Sequence, residues 1–414
     1  MRVWLYSFSL FLYRQILSLV SKFHFKAKLW SSGQDNVWYG LVENLQNNPK
    51  PVFWMHAASL GEFEQGMPVI EAIANKYPNY FILITFFSPS GYEIRKNFPL
   101  AHYVSYLPLD SRSSAKKFLS IVQPKFAIFV KYEFWYFYLT ELQKRNIPTI
   151  LISAIFREKS PFFKWYGGIF RKMLTTYSQI FLQDSHSKEL LKNIGMENAV
   201  VAGDTRFDRV NQLSQKVESW DLLANFLNHS EFVVLGSVWE ADMQILIPII
   251  NDPQWDLKWI VVPHEIHPDE LEKWESQFTS KTVYSKAGID QDFPNAKVMI
   301  VNEIGRLSSL YQGAKFAYIG GGFGAGLHNT LEAAVFGPAL FFGNKNYTKF
   351  KEACDLRDLG LAFPVGNAEE LKQHLKQLSE NAANRELIKK KSKAYIQENM
   401  GATDQIMNFI QAEI

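Results

Sequence analysis

The stretch 52–76, VFWMHAASLGEFEQGMPVIEAIANK, together with the run 81–87, FILITFF, decides the fold. Val52–Ala57 reads as a strand, Phe63–Lys76 as a helix and Phe81–Phe87 as a second strand. The strands are unbroken apolar runs rather than alternating ones, as in a parallel sheet covered on both faces. A strand, a helix and a parallel strand form one right-handed crossover unit. The alternation continues through strands at Tyr103–Leu107, Lys125–Lys131, Thr149–Ala154, Ile180–Gln183 and Val200–Ala202. Asp110 is placed to cap a helix over Ser111–Val122, and Asp184 one over Ser185–Ile194 that Gly195 ends.

Around residues 209–230 the pattern turns polar and helical, and then it restarts. Phe232–Gly236, Trp259–Val262, Thr282–Tyr284, Val298–Val301, Phe316–Ile319 and Ala339–Phe342 read as strands with helices between them, and the tail 368–414 as lysine-rich helix. The fold class is therefore α/β, with two doubly wound Rossmann-like domains facing a cleft. The expected division is an N-terminal helix (1–30), a first domain (31–210), a second (211–395) and a C-terminal helix (396–414) packing back on the first.

A chain of 414 residues is long for one core, which also favours two domains. A formal net charge of only +3 gives no indication of a nucleic-acid partner. The lone cysteine, Cys354, excludes an intrachain disulfide. The N-terminus, VWLYSFSLFLYRQILSLV over 3–20, is apolar apart from serines, Arg14 and Gln15, and Lys22, Lys26 and Lys28 follow it. About 20 apolar residues span a bilayer. The charge of Arg14 near the middle favours a short anchor or an in-plane helix over a full span. A helix packed against the first domain is the plain alternative. The run 157–172, REKSPFFKWYGGIFRK, mixes cations with aromatics, suiting either a lipid-phosphate surface or an amphipathic helix with a solvated face.

Four motifs carry the candidate chemistry. His56-Ala-Ala-Ser-Leu-Gly61-Glu62 leaves the first full strand; Gly61 permits a tight turn, and Glu62 falls in the first turn of a helix. The helix dipole there keeps a carboxylate ionised, so it can take a proton from a hydroxyl nucleophile. Lys131-Tyr-Glu133-Phe-Trp135 ends another strand and points Glu133 to the same side. Gly203-Asp-Thr-Arg206-Phe-Asp208 follows the last strand of the first domain. Arg206 can offset charge on a leaving phosphate, or else pair structurally with Asp208. Gly320-Gly-Gly-Phe-Gly-Ala-Gly-Leu-His-Asn-Thr-Leu-Glu332 is a glycine-rich loop opening a helix, whose start would meet phosphate while Glu332 holds ribose hydroxyls. No G-x-G-x-x-G register fits it, and it lacks the Lys-Ser/Thr of a P-loop. No metal or cofactor is expected: Asp290-Gln-Asp292 lies in a polar loop, and His264-Glu-Ile-His267 is not a zinc helix. Ser59 and Ser90 have no His/Asp partner set.

In this order the motifs resemble those of the 3-deoxy-D-manno-octulosonic acid (Kdo) transferases of lipopolysaccharide synthesis, a GT-B family. HAASLGE resembles H-A-x-S-x-G-E, which implies that Glu62 is the catalytic base. KYEFW is similar to E-T-E-L-W, placing the transition-state carboxylate at Glu133, and GDTRFD to G-x-x-K-F-D, with Arg206 in place of a lysine. GGGFGAGLHNTLEAAVFGPALFFG resembles the family's glycine-rich stretch. It implies CMP contacts at Asn329, Thr330, Leu331 and Glu332, with Gly321, Gly322 and His328 alongside. Further nucleotide contacts fall on Pro263, His264, Ile304, Gly305 and Arg306. Three positions depart from the pattern: His264 replaces an arginine, Arg306 an acid, and Lys131 the first acid of E-T-E-L-W. Arg306 could restore the charge lost at 264.

The resemblance implies inverting, metal-free transfer of Kdo from CMP-Kdo to a lipid A precursor (lipid IVA), at the cytoplasmic face of the inner membrane. The competing readings are another GT-B transferase, a sugar-nucleotide 2-epimerase using a UDP-sugar, and a non-catalytic nucleotide- or lipid-binding protein.

Overall fold

A computed structural model describes residues 3–216, 220–285, 288–289, 296–303, 305–324 and 326–414. The chain forms two compact units, Met1–Arg209 with Met400–Ile414, and Val210–Asn399. The first is built on β1 (Val52–Ala57), β2 (Phe81–Phe86), β3 (Tyr103–Tyr106), β4 (Pro124–Val130), β5 (Thr149–Ala154), β6 (Gln179–Leu182) and β7 (Ala199–Val201). These run parallel in the order β3-β2-β1-β4-β5-β6-β7. All six residues of β1 are buried, because alternate side chains feed two separate cores. Phe53, Met55 and Ala57 join Phe63, Ile70 and Ile84 on one face; Val52 and Trp54 join Phe118, Phe129 and Leu151 on the other. This double burial is what makes the strands read as continuous apolar runs. The strand order reverses between β1 and β4, so the loops leaving these strands flank a topological switch point, where doubly wound sheets bind ligands.

Two caps differ from expectation. The helix after β1 begins at Leu60, not Phe63, because Ser59 and Glu62 form a capping box. Gly61 therefore lies inside the first helical turn and makes no tight turn. Ser111, not Asp110, caps the helix Arg112–Val122, its Oγ accepting the Ser114 amide at 3.1 Å. Asp110 is turned inward instead. It accepts the Tyr6 hydroxyl at 2.6 Å and the amides of Phe137 and Tyr138 at 3.0 and 3.1 Å, in the first turn of the helix Tyr136–Lys144. Its position in sequence suggested a local cap, but a buried helix start and a phenol compete for the same carboxylate. Asp184 does cap Ser185–Lys192, at 2.6 Å from the Ser187 amide.

Arg206 and Asp208 make no structural pair. Arg206 holds Asp204 at 2.7 Å. Asp208 accepts the Gly401 and Thr403 amides and the Thr403 hydroxyl, each at 2.7 Å, and so seats the start of the terminal helix Ala402–Glu413. Ile406, Met407 and Ile410 of that helix complete the core that Phe53 and Met55 enter. Asp208→Ala is expected to lower stability by about 1–2 kcal/mol, the usual worth of a strong N-cap. Urea unfolding and faster amide exchange at Thr403 are the measurements.

The helix Val3–Val20 rests one face on this unit through Tyr6, Leu10 and Leu17. Its other face leaves Trp4, Phe8, Phe11, Ile16 and Leu19 exposed. With 18 residues and a mean hydropathy of 1.3, it is long and apolar enough to cross a membrane by length and composition. Residues 157–172 do not make one amphipathic helix. They fold into a short 3₁₀ turn (Pro161–Phe163) and the helix Gly168–Leu174, tied by Arg171 to the carbonyls of Phe162 and Lys164 at 2.9 and 3.0 Å. Phe162 is buried, whereas Trp165 is 92% exposed.

The second unit contains β8 (Phe232–Val238), β9 (Lys258–Pro263), β10 (Lys281–Ser285), β11 (Gly288–Ile289), β12 (Val298–Asn302), β13 (Phe316–Ile319), β14 (Ala339–Gly343) and β15 (Ala362–Val365). Their order is β11-β10-β12-β9-β8-β13-β14-β15, parallel except for the β10–β11 pair. The sequence reading missed β11 and β15. The latter is a four-residue edge strand carrying Pro364, a residue tolerated at an edge but one that argues against a strand in sequence. Here the order reverses between β8 and β13.

Candidate functional site

In the first unit the switch point brings together the residues after β1 and β4. Register places His56 of β1 opposite Thr85 of β2 and Phe129 of β4. His56 is fully buried, its Nδ1 3.0 Å from the Thr85 carbonyl and 2.9 Å from the Thr85 hydroxyl. Its Nε2 lies 2.9 Å from Oε2 of Glu133, which is 3% exposed. A carbonyl can only accept, so Nδ1 carries a hydrogen and Nε2 is the nitrogen turned to the carboxylate. The Trp135 indole N–H donates to the same carboxylate oxygen, and the Tyr177 hydroxyl donates to the Glu133 backbone carbonyl. Glu133 is thus held through one carboxylate oxygen and through its own carbonyl. Lys131, at the end of β4, has a φ of 70°, a left-handed conformation that costs a non-glycine residue energy and tends to be kept at functional sites.

Glu62 stands at the start of the helix after β1, half-buried, its Oε2 accepting the Ser59 amide at 3.0 Å and hydroxyl at 3.2 Å. Burial, followed by the negative charge of Glu133, pushes its pKa above the ordinary carboxylate value, against the smaller opposing pull of the Ser59 amide and His56. The helix start alone would hold the carboxylate ionised, as expected above; desolvation outweighs that effect. A raised pKa still suits a general base working near neutral pH.

In the second unit the loops after β8, β9 and β13 converge. Gly320 is required here: a Cβ would lie 2.1 Å from the Ser237 carbonyl near the end of β8. The buried carboxylate of Asp242 accepts the Gly321 amide at 2.9 Å, the Trp239 amide at 3.0 Å and the Tyr318 hydroxyl at 2.9 Å, tying β8, β13 and the glycine loop together. Gly321 has a φ of 89°, and a Cβ there would meet the Gly326 carbonyl at 2.2 Å. Gly322 passes close to Gly343 of β14.

His264, just past Pro263 at the end of β9, stacks on His328 with ring centroids 4.1 Å apart, and Trp239 caps the stack on His264 at 4.5 Å. The Trp239 indole donates to Nε2 of His328 at 3.0 Å. That nitrogen therefore holds a lone pair, and burial with His264 alongside pushes His328 down to about 4. His264 is lowered as well, chiefly by burial.

The glycine loop leads into a helix of one turn only, Leu331–Ala334, so the dipole expected to face a phosphate is small. Thr330 and Leu331 bury their side chains completely, and the Leu331 amide is already accepted by Asn329 at 3.2 Å. Glu332 accepts from Ser308 at 3.0 Å and Asn329 at 3.1 Å. Gly305 has a φ of 95°; Arg306 pairs with Glu303 at 3.0 Å and lies over the Trp220 ring. Ile304 and the Asp290-Gln-Asp292 motif lie outside the described residues. Among the described residues no three His, Cys, Asp or Glu side chains are grouped to hold a metal.

Sequence reasoning named no role for His56, Trp135, Trp239 or Asp242. For the last two a signal existed: they follow β8, the first strand of the second unit, as the HAASLGE motif follows β1.

Residues 36–209 match the family model of 3-deoxy-D-manno-octulosonic-acid transferase (kdotransferase). The chain is 28% identical to the 3-deoxy-D-manno-octulosonic acid transferase of Aquifex aeolicus over 80% of this chain and 87% of that one. It is 25% identical to the transferase of the same name from Haemophilus influenzae, over 90% of each. In fold it is similar to UDP-GlcNAc 2-epimerase from Neisseria meningitidis (TM-score 0.60, 14% identity, 87% of this chain and all of that one). MurG of Acinetobacter baumannii is also similar (TM-score 0.53, 15% identity, 88% of this chain and all of that one).

Proposed function

We propose that the chain is a 3-deoxy-D-manno-octulosonic acid transferase that moves Kdo from CMP-Kdo to a lipid A precursor, with inversion; its match to that family's model over 36–209 and its likeness to transferases of that name support this reading. The observation that carries the chemistry is Glu62: a half-buried carboxylate at a switch point, with a raised pKa, near a Glu133 carboxylate that His56 Nε2 faces at 2.9 Å. Glu62 takes the proton of the acceptor hydroxyl as its oxygen bonds to the anomeric carbon. The bond from that carbon to the CMP phosphate breaks, and CMP leaves with the electron pair. The sugar passes through an oxocarbenium-like state, whose positive charge Glu133 is positioned to stabilise. Arg206, held by Asp204, offsets negative charge on the donor.

The second unit holds the nucleotide through the glycine loop, Asn329 and Glu332, with His264 and His328 toward the phosphate. CMP is an adequate leaving group without a metal. The exposed apolar face of Val3–Val20, with Lys22, Lys26 and Lys28 beyond it, seats the enzyme on the anionic cytoplasmic face of the inner membrane.

The direct test supplies the protein in membranes with CMP-Kdo and tetra-acylated lipid A precursor. The expected result is a lipid heavier by Kdo; an unchanged lipid mass overturns the reading.

Nucleotide binding should also depend on pH. The free His264–His328 pair is neutral at pH 7, since both imidazoles are lowered, and an anionic phosphate favours a protonated one. Binding therefore takes up a proton, and affinity rises as pH falls. Between pH 8.5 and 6.5, above the nucleotide's own second ionisation near ~6, CMP affinity measured by calorimetry should rise by up to about tenfold per pH unit. His264→Arg should flatten that slope. A flat wild-type profile would place the phosphate away from the stack.

A further inference from the structure

The apolar N-terminal helix touches the catalytic carboxylate's support by two separate routes, and each begins at a tyrosine. Tyr6 and Tyr13 are seven residues apart, two helical turns; Tyr6 is buried, and Tyr13, 40% exposed, lies at the edge of the same face with its ring on Phe87. By the first route, the Tyr6 hydroxyl donates to Asp110 at 2.6 Å and accepts the Tyr136 amide at 3.4 Å, while Asp110 accepts the amides of Phe137 and Tyr138. These three amides open the helix Tyr136–Lys144, whose N-cap residue is Trp135. By the second route, Tyr13 stacks on Phe87 (centroids 6.1 Å, planes 27° apart), and Phe87 packs on Trp135 at 4.9 Å. Both routes end at Trp135, whose indole holds the Glu133 carboxylate.

We propose that Tyr6 and Tyr13 are positioning residues for Glu133, so that the seating of the N-terminal helix on the first unit sets turnover as well as attaching the enzyme to a bilayer. A helix needed only as an anchor would do with apolar contacts on its inner face. Here a phenol is buried in a hydrogen-bonded network with Asp110, 104 residues away, at the start of the segment that follows Glu133. A lipid surface that holds the outer face of this helix flat also holds the inner face against Trp135. Catalysis is thereby favoured where the lipid acceptor lies.

This inference rests on the transferase reading given above, and the experiment separates the two. Full-length protein in anionic phosphatidylglycerol vesicles is assayed with CMP-Kdo and tetra-acylated lipid A precursor, as wild type, Tyr6→Phe, Tyr13→Ala and Tyr13→Phe. Tyr6→Phe and Tyr13→Ala should lower kcat by about 10–100-fold, the scale expected when a reacting group is misplaced by ~1 Å. The KM for CMP-Kdo should stay within about twofold of wild type, and vesicle binding likewise in Tyr6→Phe and Tyr13→Phe, since Tyr6 is buried and the second change keeps the ring. Tyr13→Phe keeps the ring and should restore turnover. In parallel, hydrogen exchange at the Phe137 and Tyr138 amides should quicken in Tyr6→Phe. Unchanged kcat with unchanged amide protection overturns the coupling. So does a loss that tracks melting temperature and is not restored by Tyr13→Phe. If the wild type transfers no Kdo, the function reading fails, while amide exchange still decides whether the helix supports Trp135.

Discussion

Glu62→Gln is expected to lower kcat for Kdo transfer by about 10²–10⁴-fold, the range of a lost general base. Melting temperature and CMP affinity should stay close to wild type. The substitution keeps the shape of the site: the amide oxygen of glutamine still accepts the Ser59 amide, so the capping box closes and the helix Leu60–Lys76 starts where it does now. Only the ability to take a proton is removed. The wild-type rate should rise with pH as Glu62 ionises, through an apparent pKa above the ordinary carboxylate range, because burial and Glu133 both raise it. In Glu62→Gln that acidic limb should vanish.

The same shift has a sign for stability. The folded state binds the Glu62 proton more tightly than the unfolded chain, so its contribution to stability falls as pH rises between the two pKa values. Glu62→Gln should therefore be slightly more stable than wild type at neutral pH, and no different in acid. A variant that loses activity and stability together would point to a structural role. Full activity would remove Glu62 from the chemistry and require another group to take the acceptor proton.

What could be read from the sequence depended on how local its cause was. The parallel strands were legible because burial on both faces leaves a signal inside each segment: β1 is buried throughout and apolar at every position but His56. Edge strand β15 was not, because one exposed edge admits Pro364, and a proline argues for a turn. Caps were legible where the partner lies within a few residues, as at Asp184. They were misread where a distant group competes: Asp110 serves Tyr6 and the helix Tyr136–Lys144, 26 residues further on. The site divides in the same way. Glu62 and Glu133 could be singled out from their motifs. The role of His56 could not, since it arises from the register of β1 with β4, which sets a strand-end imidazole against a carboxylate 77 residues later. The stack of Trp239, His264 and His328 likewise needs three strand ends brought together by the sheet order around β8.

Removing that imidazole is the other change with a large expected effect. His56→Ala leaves the Glu133 carboxylate, 3% exposed, with the Trp135 indole but no partner for its charge. Breaking a buried pair on one side costs about 3–5 kcal/mol, because the remaining charge stays desolvated. In a unit of this size that corresponds to a fall in melting temperature of roughly 10 °C. Replacing both members should cost less than removing one: His56→Leu with Glu133→Met keeps the volume and leaves no buried charge. A single-variant melting curve within a degree or two of wild type would mean that the imidazole is not needed beside the carboxylate. The catalytic consequence is distinct from the structural one and can be read in whatever protein remains folded. His56 lowers the Glu62 pKa and Glu133 raises it. Without the imidazole, the uncompensated Glu133 charge should push Glu62 higher still, moving the acidic limb of kcat/KM to higher pH. Glu133→Gln removes the repelling charge and should move the limb the other way. Opposite shifts from the two variants would show that His56 and Glu133 act on Glu62 as one unit, with the imidazole allowing two carboxylates to share a switch point while one of them keeps the basicity that the transfer requires.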